Sequence, residues 1–344
     1  MKKKLSLFIS IILLLSLILF GCSKSSKDEL MEALVKSSEI KSQETSMELD
    51  FDMGLDEEEV IVFDDSSIKV ESKADIEKQK SITKMKFSLM GMALEGETLI
   101  DGDMAALSFP FLTNLLGIGD KYLIGDIEEI LDEDSGFPLS GINDMSLDKE
   151  LNKVLAETLD SSLKEEQITV EKDVEVETPE ETIKGTKYEV KLSGEETKDL
   201  VEDFMIKALK NESLQDSVLL FLKSGESEIK NNIGEEEIKE NPEEEVKELL
   251  ENRRFEGDIK VDFVIDSNNY VRRSNALLNL NIIDEETEER QDISFDISQK
   301  MWNINKDIEI DIPEFTEDNS IDMKELEEGF KFDNNLESEE GFQF

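Results

Sequence analysis

Histidine is absent from this sequence, and cysteine occurs once, at position 22. The first absence removes the usual general base at neutral pH, every Ser-His-Asp or Cys-His arrangement, and the commonest transition-metal ligand. The second leaves no internal disulfide to brace the fold. Arginine is confined to positions 253, 254, 272, 273 and 290. Positive charge is thin throughout, with 38 lysines and arginines against 85 aspartates and glutamates, a formal net charge of −47. So acidic a chain is repelled by phosphate backbones and anionic headgroups, which excludes nucleic acid as a partner and leaves no basic patch for membrane docking. Self-repulsion predicts a fold sensitive to salt and to divalent cations, bound diffusely rather than at one site. No glycine-rich phosphate loop is present. The acids at Asp132-Glu133-Asp134 and from Asp318 to Asp322 do not make calcium loops, because Gly136 and Met323 break the Asp-x-Asp-x-Asp-Gly order. With this many acids, carboxylate pairs arise by chance, so their spacing carries no evidence for a two-carboxylate hydrolase, which remains the weakest of three readings. The composition predicts no catalytic residue, no resident metal and no cofactor.

What the chain does have is a leader. Lys2 to Lys4 precede an apolar run from Leu5 to Phe20, followed by Gly21 and Cys22. These are the basic, apolar and small-residue parts of an export signal. Ser6, Ser10 and Ser16 interrupt the run, which is shorter than the ~20 residues a spanning helix needs. The motif Leu19-Phe20-Gly21-Cys22 resembles the bacterial lipoprotein signal, with Phe20 where that family usually has a small or β-branched residue. The resemblance covers residues 1–22. It implies cleavage before Cys22, a diacylglycerol thioether on that cysteine, and a protein held on the extracytoplasmic face of the cell membrane. The expected division is a signal peptide 1–21, a lipidated tether 22–27, one body 28–313, and an acidic tail 314–344 expected to be disordered. The tail carries Phe330, Phe332, Phe342 and Phe344, which could dock elsewhere. Because the leader holds three lysines and no acid, the chain beyond it is three charges more negative than the whole.

The body is long enough to bury roughly 70–75% of its unfolded surface if it forms one unit. Ser26 and Glu29 stand at capping-box spacing and predict a helix over 27–41. Met47, Leu49, Phe51 and Met53 alternate with Glu48, Asp50 and Asp52, the period of a half-buried strand. Weaker alternation follows around Ile68 and Val70, Ala74 and Ile76, Met85 to Leu89, and Leu99. The gaps are too short for helical crossovers, so the strands form an antiparallel meander. Lys121 to Ile124 reads as one more strand. Leu147, Leu151, Val154, Leu155, Leu159 and Leu163 recur at helical spacing. Strands are expected around 168–176 and 183–192, then a helix capped by Ser193 and Glu196, more helix from Leu214 to Leu222, and a helix opened by Asn241-Pro242. The end is again β, with alternation at 259–265, a turn at Asp266 to Asn269, a return strand to Ile283, and further alternation from Ile293 to Ile312. The fold class is α+β, a curved antiparallel meander packed against several amphipathic helices.

Residues 91–141 are rich in glycine and hold an apolar stretch without clear period: Phe109, Phe111, Leu112, Leu115, Leu116 and Ile118. Two readings stay open, a buried loop with a short helix completing the core, or a flap over an apolar cavity. These six residues are the candidate ligand-binding set, and Cys22 is the candidate lipid attachment site. The acidic runs read as solvated turns and helix starts. The arginines read as partners of neighbouring acids on the outer sheet face, or as an anion or partner site. The order of elements over residues 28–312 resembles LolA-like and mycobacterial lipid-carrier lipoproteins. That resemblance implies a half-open barrel around a cavity for acyl chains, and it rests on pattern alone. The expected role is non-catalytic binding of an apolar or lipid-like ligand under a curved sheet. The alternative is an envelope structural or interaction lipoprotein with a protein partner and no ligand cavity.

Overall fold

The computed structural model describes residues 25–54, 66–89, 92–115, 117–127, 145–211, 213–215, 241–285, 288 and 290–325. Cys22, the tail beyond 325 and most of the helix expected at Leu214 to Leu222 lie outside the described residues. One curved, open sheet of twelve strands dominates, and it does not close into a barrel. The first meander is β1 (Ser42–Gly54), β2 (Ser66–Asp75), β3 (Lys80–Leu89), β4 (Met92–Asp101), β5 (Met104–Ser108) and β6 (Tyr122–Asp126). The second is β7 (Ile168–Glu177), β8 (Thr182–Ser193), β9 (Arg253–Asp266), β10 (Val271–Asp284) and β11 (Arg290–Trp302). They join where β1 pairs antiparallel with β11. A three-residue strand, β12 (Ser320–Asp322), adds to β6 in parallel.

Paired residues on neighbouring strands share a face, so the register tells which side chains line up. One row runs Ile168, Val190, Val261, Ala276, Ile297 across β7 to β11 and continues Leu49, Ile68, Phe87, Leu94 across β1 to β4. Every member is apolar. On the opposite, outer face the strands carry charge, with Lys69 bonded to Glu48 at 2.9 Å and Lys86 to Glu95 at 2.8 Å. The alternation in sequence is thus an amphipathic sheet, and the apolar side must be sheltered from water.

Helices shelter part of it. They are α1 (Ser26–Ser37), α2 (Pro110–Leu115), α3 (Met145–Ser162), α4 (Gly194–Lys210) and α5 (Pro242–Glu251). In α1, Leu30 and Ala33 are fully buried, packed with Tyr188, Val190, Leu192 and Ile265 of β8 and β9. A second cluster joins Leu209 of α4 and Val246 and Leu250 of α5 to Phe255 and Leu280. α4 starts tightly against the sheet, since a Cβ at Gly194 would stand 2.1 Å from the Phe255 carbonyl oxygen. The main helix contacts fall on β7 to β10 and, through α2, on β4.

Several expectations change in detail. The N-cap of α1 is Ser25 rather than Ser26, because Ser25 and Asp28 close the reciprocal capping box, and the helix ends at Ser37, where the chain turns to bury Ile40. Leu155 belongs to the expected stripe of α3 but is 41% exposed. β5 escaped notice inside the glycine-rich region, being five residues without alternation. Ile308, Ile310 and Ile312 alternate without joining a ladder, and Ile308 is buried. The first part of the supposed tail is ordered. Tyr122 donates its backbone N–H to Asn319, the Phe315 ring packs edge-on against Tyr122 with centroids 5.4 Å apart, and β12 follows. Apolar Phe315, Ile321 and Met323 among the acids supply the reason, since Met323 is buried with Leu107 and Leu123.

Candidate functional site

The helix layer stops short of the sheet's full width. In the apolar row, Ile168 and Val190 on the helix-covered side are 8% and 3% exposed, whereas Leu49, Ile68, Phe87 and Leu94 are only half-buried. The adjacent row on the same face runs from buried Tyr188 through Phe263, Ser274 and Gln299 to half-buried Met47 and Val70, and closes on buried Met85, which pairs with Val70. Hydrogen bonding between Ser274 and Gln299 at 3.3 Å confirms that these side chains meet on one face. Among these residues of β1 to β4 no side chain is charged. One row further, Ser72 and Thr83 bond each other at 3.0 Å, so hydroxyls border the apolar surface.

The far side of this surface is bounded by the stretch singled out from the sequence. Phe109 lies on Gly96 of β4: a Cβ there would stand 2.1 Å from the ring, so only glycine lets the ring rest on the strand. Phe109 and Ile118 pack with Ala105, Leu107 and Leu123, which makes them part of the β5–β6–β12 core. Phe111, by contrast, is 62% exposed. Leu112 and Leu115 belong to α2, but their side chains, and all of Leu116, lie outside the described residues. The candidate set thus splits between core and surface, and the larger apolar surface beside it comes from strand residues that sequence reasoning had assigned to the core. Their alternation showed which way they face. It could not show that no described helix lies over them.

Charge is organised on the outer face. The carboxylate of Glu189 is drawn down to about 2, chiefly by the hydrogen bond from Lys187, with Lys191 and Lys260 assisting against burial. Arg272 donates to Asp266 at 2.7 Å in a buried pair, and Arg273 reaches Asp262 at 3.3 Å. Asp266 also accepts the N–H groups of Asn268 and Tyr270, which fixes the β9–β10 turn, with Asn269 at φ +65°. Arg272 and Arg273 therefore hold neighbouring acids, and Asp266 ties the first pair to the turn. Burial pushes the Tyr122 hydroxyl up to about 12, and its bond to Glu97 at 2.7 Å adds to this. Among the described residues no cluster of three or more acids could hold a metal ion, and no helix is long and apolar enough to cross a membrane. No protein-family model and no curated protein matches this chain.

Proposed function

We propose that this is a membrane-anchored extracytoplasmic lipoprotein that holds an apolar, lipid-like ligand against the apolar face of its curved sheet, without catalysis. One observation carries the reading. A row of nine apolar side chains crosses nine strands, buried under helices at Ile168 and Val190 and only partly buried from Val261 to Leu94. Leaving so much apolar strand surface open costs stability unless something apolar occupies it. Five strand spacings of about 4.8 Å give the row from Ala276 to Leu94 a length of about 24 Å, comparable to one extended long acyl chain. The open sheet with helices on one part fits the half-open barrel that the order of elements suggested. Cys22 would carry the anchor.

The test uses the full chain recovered from membranes in mild detergent, with a fluorescent fatty acid as probe. Saturable uptake of about one probe per molecule is expected, reduced at least tenfold by Ile68→Asp and unchanged by Leu277→Asp on the outer face. Absence of saturable uptake by the unsubstituted chain rejects the ligand reading. Incorporation of labelled fatty acid that persists in Cys22→Ser rejects the anchor separately.

A further inference from the structure

We propose that Phe111 and Met92 form an apolar lip that dips into the bilayer, so that the apolar face is loaded from the membrane surface. The proposal rests on the anchored-binder reading above and adds the surface by which ligand enters. Phe111 at 62% and Met92 at 56% are the most exposed large hydrophobic residues among those described. Both belong to the neighbourhood of β4. Met92 is its first residue, α2 packs on it, and Phe109 rests on its Gly96. β5 runs antiparallel to β4, from Ala105 opposite Ile100 to Leu107 opposite Thr98. The chain leaving β5 through Phe109 therefore heads toward the end of β4 where Met92 stands. Leu94, the last member of the apolar row, shares a face with Met92 two positions away. The lip is thus continuous with the row.

The tether sets what the lip can meet. Two residues, Ser23 and Lys24, separate Cys22 from Ser25, the cap of α1, so three Cα steps reach at most about 10 Å. The start of α1 is held by Glu165, which accepts the N–H groups of Ser26 and Lys27 at 2.8 and 3.1 Å, three residues before Ile168 opens the row. α1 lies on the same side of the sheet as the apolar row. A lipid on Cys22 therefore holds the β7 end of that side close to the bilayer. The chain's charge of −47 repels anionic headgroups. Contact is left to insertion of uncharged side chains, the chemistry that an exposed phenylalanine and methionine supply.

The test reconstitutes the lipidated full chain in phosphatidylcholine vesicles with Phe111→Trp, and with Leu277→Trp on the outer face as control. Trp302 is buried, so its contribution is subtracted using the unsubstituted chain. The expected result is blue-shifted emission from position 111, quenched at least twofold by lipids brominated in the acyl chain, with no quenching at 277. Equal quenching at the two positions overturns the lip. Phe111→Asp is expected to slow probe uptake from vesicles at least fivefold while leaving uptake from detergent micelles unchanged, and an unaltered vesicle rate also overturns it. A chain that takes up probe from micelles without quenching at 111 sinks the lip alone. Quenching at 111 in a chain that takes up no probe upholds the lip and sinks the ligand reading.

Discussion

Val190 and Val70 lie in neighbouring rows of one sheet face, 3% exposed under α1 in one case and half-buried beyond the helices in the other. Truncating each to alanine removes the same atoms from two environments. At Val190 the loss is two methylene equivalents at about 0.8 kcal/mol each, plus a cavity that the helix layer cannot close, about 2–3 kcal/mol together. At Val70 part of that surface already meets solvent and no closed cavity forms, so the cost is about 0.5–1 kcal/mol. With a urea m-value of about 3 kcal/mol/M, Val190→Ala lowers the unfolding midpoint by about 0.8 M and Val70→Ala by about 0.3 M or less. Fluorescence of Trp302, 6% exposed, reports the transition. Probe uptake should show the reverse order, weakened by Val70→Ala and unaffected by Val190→Ala. Equal midpoint shifts would mean that β2 is covered as thoroughly as β8, and the open-face argument would fail with them.

Two further outcomes follow from local chemistry. The folded-state pKa of Glu189 lies below its unfolded value, so its contribution is full above the ordinary carboxylate range and lost as pH falls through about 2. Glu189→Gln should therefore cost about 2 kcal/mol at pH 7 and almost nothing near pH 2, a gap measured by urea midpoints at both pH values; a pH-independent gap would contradict the assignment. Ending the chain at Pro313 removes β12 and exposes the β6 edge, so the shortened chain should self-associate in sedimentation while a chain ending at Glu325 stays monomeric. A monomeric shorter chain would show that β12 is not needed to guard that edge.

Much of the architecture was legible because period-two alternation in Met47 to Met53 or Ile259 to Ile265 has one physical solution, a strand with one wet face. The caps were equally direct: Ser193 and Glu196 bond reciprocally, and Asn241-Pro242 opens α5. What escaped was set by distant contacts. β5 and β12 carry no alternating signature, and each is strand because a neighbour offers a ladder. Phe109 and Phe111 sit two residues apart in one apolar stretch, yet Gly96 receives the first and nothing described covers the second. The candidate site depends on where the helix layer ends, which no local pattern encodes.

The seam between β1 and β11 has a kinetic consequence. Apart from β8 and β9, which α4 and α5 separate, the paired strands of each meander are close in sequence, but Glu44 meets Trp302 and Leu49 meets Ile297 across some 250 positions of chain. Contacts of such sequence separation form late, because the loop they close is entropically costly. A chain threading outward from its N-terminus would present the full length of β1 as an unpaired border until the last long strand arrives. Folding should then show a fast phase in which the two meanders form independently and a slower one in which they zip together. The slow phase is the interval in which a second copy, offering its own β11, could complete the wrong molecule.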